Sequence, residues 1–187
     1  MKRLLVLLCA PLLMLFFVFF STPAFAAGEH FTHGGVPTCT ITPIVTATDT
    51  SQSVVCTGEL AGLGNVDLVL DLSVSGFAKY QCQNGGGNIA AGQNKVLVGP
   101  AVSTTTIPAN AIKNGRTPFT TNAAVLSAPL TVSGSVAGCP NSNWTGVNPV
   151  VTVTSITLKI SQTTLLFTCT ATNASGLTGT VTLTCTP

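Results

Sequence analysis

The chain predicts an all-β fold: a disulfide-bonded antiparallel β-sandwich of immunoglobulin-like arrangement, occupying residues 38–187 as one domain. Three features carry that expectation. Nearly every strong apolar segment alternates with period two, the mark of a strand with one face buried and one wet. Clusters of Gly, Asn and Ser punctuate those segments at 62–65, 84–87, 114–115 and 173–176, where turns need positive φ or local side-chain hydrogen bonds. Six cysteines follow what reads as an export signal, and an even cysteine number in an exported chain implies cross-links.

Taken in order, residues 1–26 are expected to be the signal peptide. Met1-Lys2-Arg3 gives a basic start, 4–20 is an almost unbroken apolar run, and Ala24-Phe25-Ala26 places small residues where a signal peptidase reads. Cys9 leaves with it, and its apolar surroundings read poorly as a lipid-attachment site. The run is too short and too N-terminal for a retained membrane segment, and no later stretch approaches about 18 consecutive apolar residues. Residues 27–37 are expected to be a flexible polar tail.

Strands follow at 38–48, 53–60, 66–82, 95–98, 124–133, 150–160, 164–172 and 178–185, all rich in the Val, Ile, Leu and Thr that fit a pleated surface. The clearest is 66–82. Val66, Leu68, Leu70, Leu72, Val74, Ala78, Tyr80 and Cys82 share one face, while Asp67, Asp71, Ser73, Ser75, Lys79 and Gln81 take the other. Gly76 is its expected bend or bulge. The buried strand tryptophan of antibody domains has no counterpart, because Trp144 falls in a Pro/Asn-rich loop, so the immunoglobulin likeness is architectural.

Two loops interrupt the strand pattern, a glycine-rich one at 83–94 and a polar one at 138–149. The first directly follows a cysteine and the second contains one, which favours a Cys82–Cys139 bridge pinning both at one end of the molecule. Cys39–Cys56 and Cys169–Cys185 then follow as nearest neighbours. Against the last pair, a hairpin turning near Ser175 would set Cys169 opposite residue 182. A zinc site needs close pairs of the C-x2-C kind, and the shortest spacings here are 16 and 17 residues.

Charge excludes partners. After the signal, Lys79, Lys95, Lys113, Arg116 and Lys159 balance Glu29, Asp49, Glu59, Asp67 and Asp71, so the net charge is near zero and no basic cluster exists for nucleic acid or anionic lipid. A near-zero charge also favours self-association over repulsion.

Candidate sites are weighed against plainer roles. His30 and His33 stand three apart near the expected mature terminus and can hold a transition metal, but a polar tail is the favoured reading. No cofactor is expected. Asn84, Asn88, Gln93 and Asn94 in the first loop, with Asn143 and Trp144 in the second, are the candidate binding-loop residues, because loops on a rigid scaffold carry recognition. Trp144 is the expected exposed anchor. Asp67 and Asp71 lie about 13 Å apart along their strand, too far for a paired-acid glycosidase, and both histidines fall in the tail, leaving no triad. Threonines at alternate positions, such as Thr168, Thr170 and Thr172, can present a flat face to ice or glycans, though Thr is also the β-branched residue that tolerates water. Asn143-Trp144-Thr145 and Asn173-Ala174-Ser175 match the N-glycosylation pattern, which acts only in a eukaryotic source.

The run from Cys82 to Asn88 (CQNGGGN) through Gly92-Gln93-Asn94, with Cys139-Pro-Asn-Ser-Asn-Trp144 downstream, resembles small secreted bacterial β-sandwich proteins of unassigned function over about residues 53–185. That resemblance implies a secreted β-sandwich and a bacterial source, and it transfers no activity. The expected function is a secreted, non-catalytic extracellular protein that binds an extracellular protein or glycan, or serves as a cell-surface component. A small carbohydrate-binding or carbohydrate-active protein and a self-associating coat component are the alternatives.

Overall fold

A computed structural model describes residues 28–187; the expected signal peptide at 1–26, with Cys9, lies outside the described residues. The period-two segments form strands β1 (His30–Phe31), β2 (Thr38–Val45), β3 (Thr50–Ala61), β4 (Leu68–Gln83), β5 (Ile89–Ala91), β6 (Val96–Ile107), β7 (Thr117–Thr120), β8 (Ala124–Leu126) and β9 (Val132–Ser133). After a one-turn helix α1 (Gly134–Ala137) come β10 (Thr145–Ser161), β11 (Leu165–Leu177), β12 (Gly179–Thr182) and β13 (Thr184–Thr186).

All belong to one curled, open network whose backbone path runs β12-β2-β3-β10-β11-β13. β4 pairs with β10 and carries β6 on its other side. The sheet is mixed rather than wholly antiparallel, because β3 meets β10 in parallel at Val150 and Thr50. The core sits where β4 and β10 face each other in register: Leu70 with Ile160, Leu72 with Leu158, and Val74 with Ile156. All six are at most 1% exposed, and each such burial stabilises the fold by about 1.5–3 kcal/mol. Val54, Cys56 and Leu60 of β3, the neighbour of β10 along the path, belong to the same core.

The bulge expected at Gly76 is real, but the extra residues lie in its neighbours. Both the β4–β6 and the β4–β10 registers shift beside Gly76, and a Cβ there would collide with the Thr152 carbonyl oxygen. β6 runs nine residues beyond its expected end at 98, through Gly99-Pro100. β10 begins inside the expected second loop, and β5 lies inside the first.

The three disulfides join Cys39 to Cys56, Cys82 to Cys139 and Cys169 to Cys185. Cys169 lies opposite Cys185 because β11 continues through the expected turn at 173–176 to Leu177. The chain then leaves to pair β12 with β2 before returning as β13.

The segment expected as a flexible tail is held against the sheet. His30 and Phe31 pair with Ala61 and Leu60, the Phe31 ring lies 4.7 Å from that of Phe167, and the Thr32 hydroxyl donates to Glu59 at 2.9 Å. Pro37 is fully buried. The aromatic side chain at Phe31 is the physical reason, since it has an apolar surface to bury.

Candidate functional site

The two loops are welded together at one end of the molecule. Besides the Cys82–Cys139 bond, the Gln93 and Asn94 backbone N–H groups donate to the Gly138 and Ala137 carbonyls at 3.3 and 3.1 Å. The Asn94 side chain donates to Val136 O at 3.0 Å, satisfying a carbonyl at the end of α1. Gly92 makes the approach possible: a Cβ there would stand 2.7 Å from both the Ala137 and Tyr80 carbonyl oxygens.

Several expected contact residues are committed to this scaffold. Asn84 Oδ1 accepts from the Gly86 and Asn88 backbone at 3.0 and 2.9 Å, shaping the glycine-rich turn. Gln93 bonds the Ala91 carbonyl at 3.3 Å. Asn88 and Asn143 have exposed side chains. The freely exposed indole expected at 144 is corrected. Trp144 is half-buried and packs against the core, because its carbonyl crowds Gly134 and the following Gly146 abuts Ala137. Among the histidines, His30 Nδ1 contacts the Gly28 carbonyl at 2.8 Å, and His33 is exposed.

Beside the welded loops lie two depressions of about 430 and 310 Å³. Thr48 and Asn148 line both, so the two adjoin, and together they are called the groove. Its floor is the outward face of β4, with Lys79 and Gln81 in the larger part and Gln83 in the smaller. Asn148 is presented by a second bulge. The register jumps from Val147–Gln81 to Val150–Lys79, and Asn148 takes φ 52°, a left-handed conformation that Asn tolerates. Its Nδ2 donates to Gln81 Oε1 at 2.8 Å. The far wall is the β2–β3 turn, where Asp49 N–H donates to Thr46 Oγ1 at 3.0 Å and the Thr46 hydroxyl also bonds the Asp49 carboxylate. Tyr80 points inward, donating to Pro129 O at 2.8 Å, and burial raises its phenol pKa above the ordinary value.

The acids are dispersed. Glu59 accepts from Arg116 and Thr32, Asp67 from the Ala109 N–H at 2.8 Å, and Asp71 from the Thr104 hydroxyl at 2.6 Å. Among the described residues, no three of His, Cys, Asp and Glu converge on a common point. The groove therefore offers amides, hydroxyls, one carboxylate and one ammonium, a set suited to hydrogen-bonded recognition.

Sequence reasoning reached the loops but missed the groove's opposite wall at Thr46 to Asp49 and the adjoining Leu130. A Pro at 149 directly after Asn148, at the head of a strand pattern, was the one signal of the bulge. Comparison with protein-family models, with curated proteins and with solved structures gives no match.

Proposed function

We propose that this is a secreted, non-catalytic protein that works by binding, with the groove beside the welded loops as its contact surface. The observation that carries the reading is the groove's lining. Exposed amides and hydroxyls converge there from β4, the β10 bulge and the β2–β3 turn, whereas Glu59, Asp67 and Asp71 are each spent on separate local bonds elsewhere. Export is supported by the three disulfides, which persist in oxidising surroundings. Among the described residues no helix is long and apolar enough to cross a membrane. An immunoglobulin-like sandwich is the architectural part of this proposal, supported by the core shared between β3 and the β4–β10 pair.

Thr48→Trp tests it, because Thr48 is exposed and borders both depressions. Binding of the purified mature protein to cell-envelope fractions is expected to fall about tenfold or more in the variant, with an unchanged melting temperature. Equal binding by the two proteins removes the groove from the reading. Turnover of glycoside, ester or peptide substrates by the wild type removes the non-catalytic assignment.

A further inference from the structure

We infer that the groove takes an extended, largely uncharged polypeptide segment laid along the outward face of β4. This rests on the binding reading above and names its ligand class. Gln81 and Gln83 are alternate residues of one strand, so their side chains stand about 6.6–6.8 Å apart, the same interval that separates side chains i and i+2 of an extended peptide. Each part of the groove holds one of these amides and one large exposed aliphatic residue: Gln81 with Val150 (53% exposed), Gln83 with Leu130 (56% exposed). Side-chain amides carry donor and acceptor in one plane, as peptide groups do, so the pair can exchange hydrogen bonds with alternate peptide groups of a bound backbone, those that point the same way. The Asn148–Gln81 bond uses the Gln81 carbonyl oxygen and an Asn148 N–H. The Gln81 amino group and the Asn148 carbonyl oxygen have no other partner among the described residues. Alternate side chains of the ligand then rest on Val150 and Leu130.

Charge and aromatic content narrow the class. Asp49 and Lys79 line the same larger depression with opposite signs, and no charged residue lines the smaller one, so the groove favours neither a polyanion nor a polycation. A neutral glycan is the competing occupant. Sugar recognition leans on aromatic faces, and the groove offers none: Tyr80 is 3% exposed with its hydroxyl directed at Pro129, and Trp144 lies outside the lining.

The test is peptide display against the disulfide-intact mature protein, with Thr48→Trp as counter-selection, beside an array of neutral oligosaccharides. Enriched peptides are expected to carry apolar residues at alternate positions and little charge. A synthetic copy, capped at both ends, is expected to bind wild type and to lose about tenfold or more in affinity to Leu130→Asp and to Gln83→Glu. Both substitutions lie on exposed positions, and retained thermal stability certifies the fold. Enriched peptides that bind both variants as tightly as wild type overturn the inference, as does a selection that enriches nothing. An oligosaccharide whose binding depends on Leu130 and Gln83 replaces the peptide while leaving the binding reading intact. Failure of peptide, oligosaccharide and envelope fractions alike removes both.

Discussion

The β4–β10 body and the loop end are built on opposite economies of interaction. In the body, Leu70, Leu72 and Val74 meet Ile160, Leu158 and Ile156 in unbroken register, and the strands hold through a continuous backbone ladder with buried apolar side chains. At the loop end, β5 has three residues and α1 four, lengths that cannot sustain themselves. Order there comes from one disulfide, from short backbone contacts to β4 and between the loops, and from side-chain amides that satisfy backbone groups, Asn84 within its turn and Asn94 at the end of α1. The difference separates what makes the molecule stable from what shapes the proposed contact surface. The groove lies on the second kind of structure, resting on a floor supplied by the first.

The largest way to break that comparison is Leu158→Ala. Leu158 is fully buried, and truncation is expected to cost about 3–5 kcal/mol by lost transfer energy plus a residual cavity. Urea unfolding should show one cooperative transition at a lower midpoint. A loss below about 1 kcal/mol would mean that the core is less tightly packed than the register implies.

Removal of the Cys82–Cys139 bond by the Cys82→Ser, Cys139→Ser double variant comes next. Its ends are 57 residues apart, so chain-entropy reasoning gives about 4 kcal/mol. The distribution matters more than the total. Hydrogen exchange should accelerate at 84–94 and 134–144 while Leu70, Leu72 and Ile160 keep their protection. Uniform acceleration would show that the two regions are one cooperative unit.

The smallest effect is a pH dependence confined to the N-terminal segment. Bonds from Arg116, and then from Thr32, hold the Glu59 carboxyl below its usual range. A group with a depressed folded pKa adds stability that is complete above its unfolded pKa, about 4.3, and is lost as pH falls through the lower folded value. Protection factors at Phe31 and Thr32, measured against intrinsic exchange at each pH, should therefore fall below about pH 4 in wild type. Glu59→Gln should flatten that part of the profile, and an identical profile in the variant would assign the release to another group.

The same contrast decides what was readable beforehand. β4 was legible because apolar residues alternate from Val66 to Val74 and again from Ala78 to Cys82, with Gly76 marking the one interruption, and burial on one face enforces that period. Beyond Val98 β6 was not, because Gly99-Pro100 reads as a break. It is tolerated since β6 pairs only with β4 and Pro100 removes no ladder bond that a central strand would need. The loop residues Asn84 and Asn94 were singled out as contact groups, and their polarity is spent on the backbone instead. Sequence shows that an amide is present, not whether the nearest unsatisfied carbonyl belongs to the same chain. Trp144 failed for a related reason: its half-buried position depends on how closely Gly134 and Gly146 let α1 and β10 approach, a long-range fact with no local period.

Gly92 carries a consequence for biogenesis. Because the gap it occupies admits no methyl group between the Tyr80 and Ala137 carbonyls, the thiols of Cys82 and Cys139 are brought together by a vacancy in the intervening chain. Any larger residue there would act as a spacer during oxidative maturation. The defect would surface as unpaired sulfhydryl in an otherwise assembled sheet, so this glycine belongs to the chemistry of cross-linking as much as the cysteines do.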